Sequence, residues 1–217
     1  MGSDERVALG APSREDVVCR VLTALALAAP AAGAQPAAAP PAAARGRAPD
    51  VGPRTALAHR GRVAALLAVD LGVRAGFACW GDDGRLRWYR SQNFGAAARM
   101  RRAVPALLAD PPDLARLVVE GGGPLVTPWA VEGGRRALEV QVVSAEVWRP
   151  VFLLPREHGT GAQMKAVADR LARRVIEWAG GPRPTSLRHD AAEAVLVGLW
   201  GALAAGWVRR LPPELLR

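Results

Sequence analysis

The chain has 217 residues and a net charge of +9, from 29 basic and 20 acidic residues. That length suffices for one packed domain and a tail, and the charge suits a polyanionic partner without naming one. Two cysteines without metal-ligand or disulfide spacing favour a reducing compartment, and no charge-free apolar run reaches the roughly 18 residues that a membrane span needs.

Residues 1–62 stand apart from the rest. Pro30 to Pro53 is almost entirely Ala, Pro, Gly and Arg, a composition without core-forming side chains, and it reads as a disordered low-complexity linker. Ahead of it, Ser13-Arg14-Glu15-Asp16 predicts a capped helix running to about Ala29. Acidic residues at Asp4, Glu5, Glu15 and Asp16 argue against a secretory or organelle-transit segment. The expected location is therefore cytoplasmic, at the nucleoid, with an organelle as the alternative should the extension act as a transit segment.

Residues 63–217 read as one α/β domain. Val63–Asp70 and Arg74–Gly81 predict strands, Asp82-Asp83-Gly84 a hairpin turn, and Arg85–Phe94 a third, alternating strand. A helix over Ala96–Ala109 ends at Asp110-Pro111-Pro112, and Leu114–Glu120 predicts the fourth strand. A glycine-rich loop follows, then a helix from about Gly134 to Trp148 and a short fifth strand over Val151–Leu154. Helices over Ala162–Ala179 and Asp190–Val208 complete the chain, the last apolar enough to be buried. The expected fold is a mixed five-stranded sheet flanked by helices, an antiparallel meander extended by two parallel strands. That succession is characteristic of the ribonuclease H-like fold.

Four acids stand out. Asp70 and Glu120 each end an apolar strand and precede a glycine-containing turn, and Asp190 and Glu193 share one helix face at spacing i, i+3. Carboxylates converging there would repel one another unless a cation lay between them, and hard divalent metals prefer such oxygen ligands. A pair of such ions can clamp the attacking and leaving oxygens of a phosphodiester. The pattern points to a Mg2+-dependent nuclease, with Mn2+ as a substitute ion.

With those residues in view, about residues 63–208 resemble the RuvC-type Holliday-junction resolvases of the RNase H-like nucleases. Asp70, Gly72, Arg74 and Gly76 are similar to the family's first motif, Val118-Val119-Glu120 to its second, and Asp190-Ala191-Ala192-Glu193 to its C-terminal helical motif. Lys165, the only lysine, falls where a basic residue is expected. Glu193 stands where the family usually carries Asp, as it does in the plant chloroplast resolvases. The resemblance implies a homodimer that cuts four-way DNA junctions, with Asp70, Glu120, Asp190 and Glu193 as catalytic metal ligands and an unidentified helicase partner. Glycines occupy the positions where the family offers an aromatic wedge, which leaves Trp129 as the substitute. Lys165, Arg74, Arg135 and Arg136 are the candidate phosphate contacts.

Each feature has a plainer reading. Asp70 and Glu120 could cap strands, Asp190 and Glu193 could form a capping box, His189 could be an exposed residue ahead of the cap rather than a ligand or proton carrier, and Lys165 could be solvated. Because 28 of the 29 basic residues are arginine, a skew typical of a GC-rich genome, single arginines carry little weight. Three other functions compete: an RNA-processing nuclease of the same fold, an actin-like ATP-binding fragment suggested by Asp70-x-Gly72-x-Arg74, and an inactive nucleic-acid-binding module.

Overall fold

A computed structural model describes residues 64–153 and 161–216. The expected N-terminal helix and linker, and Leu154 of the expected fifth strand, lie outside these residues. Strands β1 (Ala65–Asp70), β2 (Arg74–Gly81) and β3 (Leu86–Asn93) form the expected meander. Helix α1 (Ala97–Leu107) leads to β4 (Leu114–Glu120), and a 3-10 turn at Gly123–Leu125 leads to α2 (Thr127–Arg135). Strand β5 (Glu139–Val143), α3 (Ala145–Phe152), α4 (Gly161–Trp178), α5 (His189–Ala204) and a closing 3-10 turn (Pro213–Leu216) follow.

The strand order is β3-β2-β1-β4-β5, with β2 antiparallel to both neighbours and β4 and β5 parallel to β1. Strand alternation divides the core in two. Leu67, Val69, Leu117 and Val119 face α1 and α2, while Leu66, Ala68 and Val118 face α3, α4 and α5. By the same parity Asp70 and Glu120 fall on the α5 side. Helix α5 is apolar on all faces because the sheet lies beneath it and α4 packs alongside. Among the described residues no helix is long and apolar enough to cross a membrane. Cys79 is buried in β2, and burial pushes its thiol up to about 11.

Two sequence expectations fail in the middle of the chain. The helix expected over 134–148 is three elements: the end of α2, strand β5 and the start of α3. Val151 and Phe152 of the strand expected over 151–154 are instead the end of α3, with Leu153 following it and residue 154 outside the described residues. Glu139-Val140-Gln141-Val142-Val143 is the true fifth strand, its β-branched residues pairing with Arg116–Glu120 of β4.

Trp129 is also not a loop wedge. It lies in α2 with no exposed surface, its ring is 5.9 Å from that of Phe77, and its Nε1 donates to Met100 Sδ at 3.2 Å. A ring so enclosed has no face left for a nucleobase. Trp129→Ala should cost about 3–5 kcal/mol, the range for removing a buried aromatic. Urea denaturation measures it, and a loss under about 1 kcal/mol would contradict the core placement.

Candidate metal centre

The first two acids are brought together by strand register. Asp70 and Glu120 end neighbouring parallel strands and are directly paired, and Leu71 N donates to Glu120 O at 2.9 Å. Each chain turns away immediately afterwards. Gly121 adopts φ +139°, a backbone that disfavours any side chain, and its N–H donates to Val143 O.

The third carboxylate comes from α5, and glycine sets its height. A Cβ on Gly76 would lie 1.9 Å from the carbonyl oxygen of Asp190, so the first turn of α5 rests directly on the β2 backbone. Further along, Gly198 and Gly201 leave room for Trp80, Leu66 and Val118. Glu193 thereby reaches the strand ends. One oxygen each from Asp70, Glu120 and Glu193 lie within 4.8 Å of one another.

Asp190 belongs at the margin of this group. The structure joins three of the four expected acids as a candidate ligand set and directs the fourth elsewhere. Asp190 Oδ2 accepts from Ser91 Oγ on β3, and Oδ1 accepts from the N–H of Ala191. Its charge still acts on Asp70. The capping-box reading also fails: α5 begins at His189, with Arg188 as N-cap and no side-chain cap bond.

Burial and like charge dominate the electrostatics. Burial raises Asp70, Glu193 and a hydrogen bond with Glu120 raise it further, and its carboxyl is pushed up from 3.8 to about 9. Glu120 is also raised, first by burial and then by Glu193, against lowering by the Asp70 hydrogen bond and by Arg149. Trp148 is fully buried, and its indole N–H favours ionised Glu120 although no acceptor satisfies it with good hydrogen-bond geometry. Glu193 has two nitrogen neighbours: Arg149 Nη2 at 2.6 Å from Oε1, and His189 Nε2 at 3.3 Å from Oε2.

These residues fit a hard divalent cation. Oxygens on opposite sides of an octahedral Mg2+ stand about 4.2 Å apart, so small side-chain rotations would bring the three carboxylates into its range. A strongly raised Asp70 is a carboxylate whose charge the protein leaves uncompensated, which a cation would neutralise.

The remaining sequence candidates separate by position. Arg74 opens β2 and Lys165 sits in the second turn of α4; both are exposed at the carboxylate end of the sheet. Arg188, exposed at the start of α5, joins them. Arg135 and Arg136 lie at the opposite end, because α2 starts near Glu120 and runs away from it. Arg136 is tied to Glu132, Pro105 O and Leu108 O, and Arg135 lies 3.6 Å from Glu132. Neither is placed to contact a phosphate at the acids.

Sequence reasoning missed Arg149, Trp148 and Ser91 as parts of the site. With β5 at Glu139–Val143, Ser144 becomes the start of a helix at the carboxylate end, and Trp148 and Arg149 fall one turn in. That strand assignment was the available signal for two of the three.

No protein-family model matches the chain, and no curated protein matches it.

Asp70→Asn tests the electrostatics directly. In the folded chain Asp70 keeps its proton up to about 9, while the unfolded chain ionises near 3.8. Folding thus takes up a proton between those values, and stability falls as pH rises across that window. In EDTA the variant should melt several degrees above the wild type at pH 8, with the gap closing toward pH 4. Mg2+ should raise the wild-type Tm at pH 8 and leave the variant nearly unchanged. A variant less stable than wild type in EDTA at pH 8 would contradict this account.

Proposed function

We propose that the described residues form an RNase H-like nuclease domain, and that the protein is a Mg2+-dependent endonuclease resolving four-way DNA junctions. The observation that carries the reading is the convergence of Asp70, Glu120 and Glu193 within 4.8 Å, from two paired parallel strand ends and a buried helix. The strand order β3-β2-β1-β4-β5, with only β2 antiparallel to its neighbours β1 and β3, supports the fold assignment. The order of the motifs in sequence supports the RuvC-type resolvases within that fold.

Asp70, Glu120 and Glu193 would hold a divalent cation, which would supply an activated water and charge stabilisation for phosphodiester hydrolysis. The protein contributes the remaining parts. Asp190, bonded to Ser91, fixes the first turn of α5 against β3 and so aims Glu193. Arg74, Lys165 and Arg188 make the open end of the sheet positive and give phosphates a landing surface with no sequence readout. With Trp129 in the core, junction selectivity falls to the spacing of two active sites in a homodimer and to the exposed Gly122-Gly123-Pro124 loop. The products would carry 5′-phosphate and 3′-hydroxyl ends.

Cleavage of a synthetic four-way junction, linear duplex, RNA–DNA hybrid and structured RNA, each with Mg2+ and with EDTA, tests the reading. The junction should be cut fastest and only with Mg2+. Asp70→Asn and Glu193→Gln should each reduce the rate by more than about a hundredfold, the upper end of what losing a group that merely supports a metal ligand costs. Equal rates on junction and duplex would remove the resolvase assignment, and faster cutting of structured RNA would move the protein to RNA processing. Metal-independent cutting would remove both.

A further inference from the structure

Arg149 comes from α3 and reaches across to α5, where Nη2 lies 2.6 Å from Glu193 Oε1. Its guanidinium carbon sits 5.4 Å from the centre of the Trp148 ring, and its side chain is 28% exposed, so it borders the acids and solvent at once. With His189 on Oε2, each oxygen of Glu193 already has a nitrogen beside it. A divalent cation and Arg149 therefore draw on the same carboxylate.

We propose that Arg149 is a phosphate-binding residue that neutralises Glu193 until substrate arrives, then turns to the phosphodiester and releases Glu193 to the metal. The inference rests on the reading of Asp70, Glu120 and Glu193 as a metal centre and deepens it. Three observations carry it. Among the described residues the contact with Glu193 runs through Nη2 alone, which leaves the rest of a planar five-donor fork for phosphate oxygens. The guanidinium also favours the ionised form of Glu120, so it acts on the acid group as a whole. The fully buried Trp148 holds an indole N–H with no acceptor that favours ionised Glu120, and its ring lies beneath the Arg149 guanidinium.

The consequence is reciprocal coupling. Phosphate that draws Arg149 away strengthens metal binding, and metal that displaces Arg149 strengthens phosphate binding by the same factor. The free protein then holds metal weakly and gains affinity on nucleic acid.

Mn2+ binding to the full chain at pH 8, followed by electron paramagnetic resonance, tests this in wild type, Arg149→Ala and Arg149→Lys. Fluorescence anisotropy of a labelled four-way junction, in Ca2+ and in EDTA, gives the second readout. Arg149→Ala should bind Mn2+ about five- to tenfold more tightly than wild type without DNA, near the low end of ordinary coupling. It should also lose most of the gain in junction affinity that Ca2+ gives the wild type. Arg149→Lys keeps the charge without the fork, so it should bind Mn2+ like wild type and bind the junction more weakly in Ca2+. Unchanged or weaker Mn2+ affinity in a folded Arg149→Ala overturns the proposal. Should that variant not fold, unchanged junction affinity in Arg149→Lys overturns it. If wild type binds no Mn2+ with or without junction, the metal centre itself is wrong and the proposal falls with it. If Asp70→Asn abolishes Mn2+ binding while the Arg149 variants behave as wild type, only the role of Arg149 is lost.

Discussion

Three carboxylates held within 4.8 Å of one another, two of them partly buried and Glu193 buried, work against folding, and the rest of the architecture is arranged around holding them there. Burial and like charge both disfavour the ionised forms of Asp70 and Glu120, which is why Asp70 retains a proton far above its ordinary range. The opposing contribution is apolar. Helix α5 buries nearly every side chain, and it settles deeply because Gly76, Gly198 and Gly201 let backbone and ring approach where a Cβ would collide. A functional group is thus positioned by packing that has no polar role of its own. The same closeness that adds dispersion contacts carries Glu193 down to the strand ends.

The two acids of α5 divide their tasks although they are only three residues apart. Asp190 is spent on Ser91 and on its neighbouring backbone, which ties the start of the helix to β3. Glu193, one turn deeper, points at Asp70 and Glu120 and meets Arg149 and His189 from either side. The surrounding charge is asymmetric as well. Arg74, Lys165 and Arg188 stand exposed at the carboxylate end, whereas Arg136 is bound to the backbone at the far end of α2. Positive charge thus gathers on the side where the acids open.

Much of this was legible in advance, and the reasons differ by element. β1 and β4 are central strands covered on both faces, so their sequences are continuous apolar runs that stop at Asp70 and Glu120. The ends of those runs placed both acids at strand ends, and i, i+3 spacing gave Asp190 and Glu193 a common helix face. β5 escaped detection because it is short and lies at the sheet edge, with Val142 nearly half exposed. Its neighbours are helical, and the whole stretch reads as a single helix. Misplacing it hid the start of α3 and, with it, Arg149. Trp129 was misread for a related reason: the glycines before it suggested an open loop, while the helix they introduce turns the ring into the core.

The sequence by itself determined the first four strands and the helix between the third and fourth, the acids at the strand ends and the apolar character of the last helix. These are written in local patterns, where neighbouring residues share a face or a period. Tertiary structure alone decided that Glu193 rather than Asp190 completes the acidic group, that Arg149 lies against it, and that Trp129 is sealed from solvent. Ser91 and Asp190 are 99 residues apart, and Arg149 and Glu193 are 44 apart. No periodicity spans such separations, and only the packing of α3 and α5 over one sheet brings those side chains within reach.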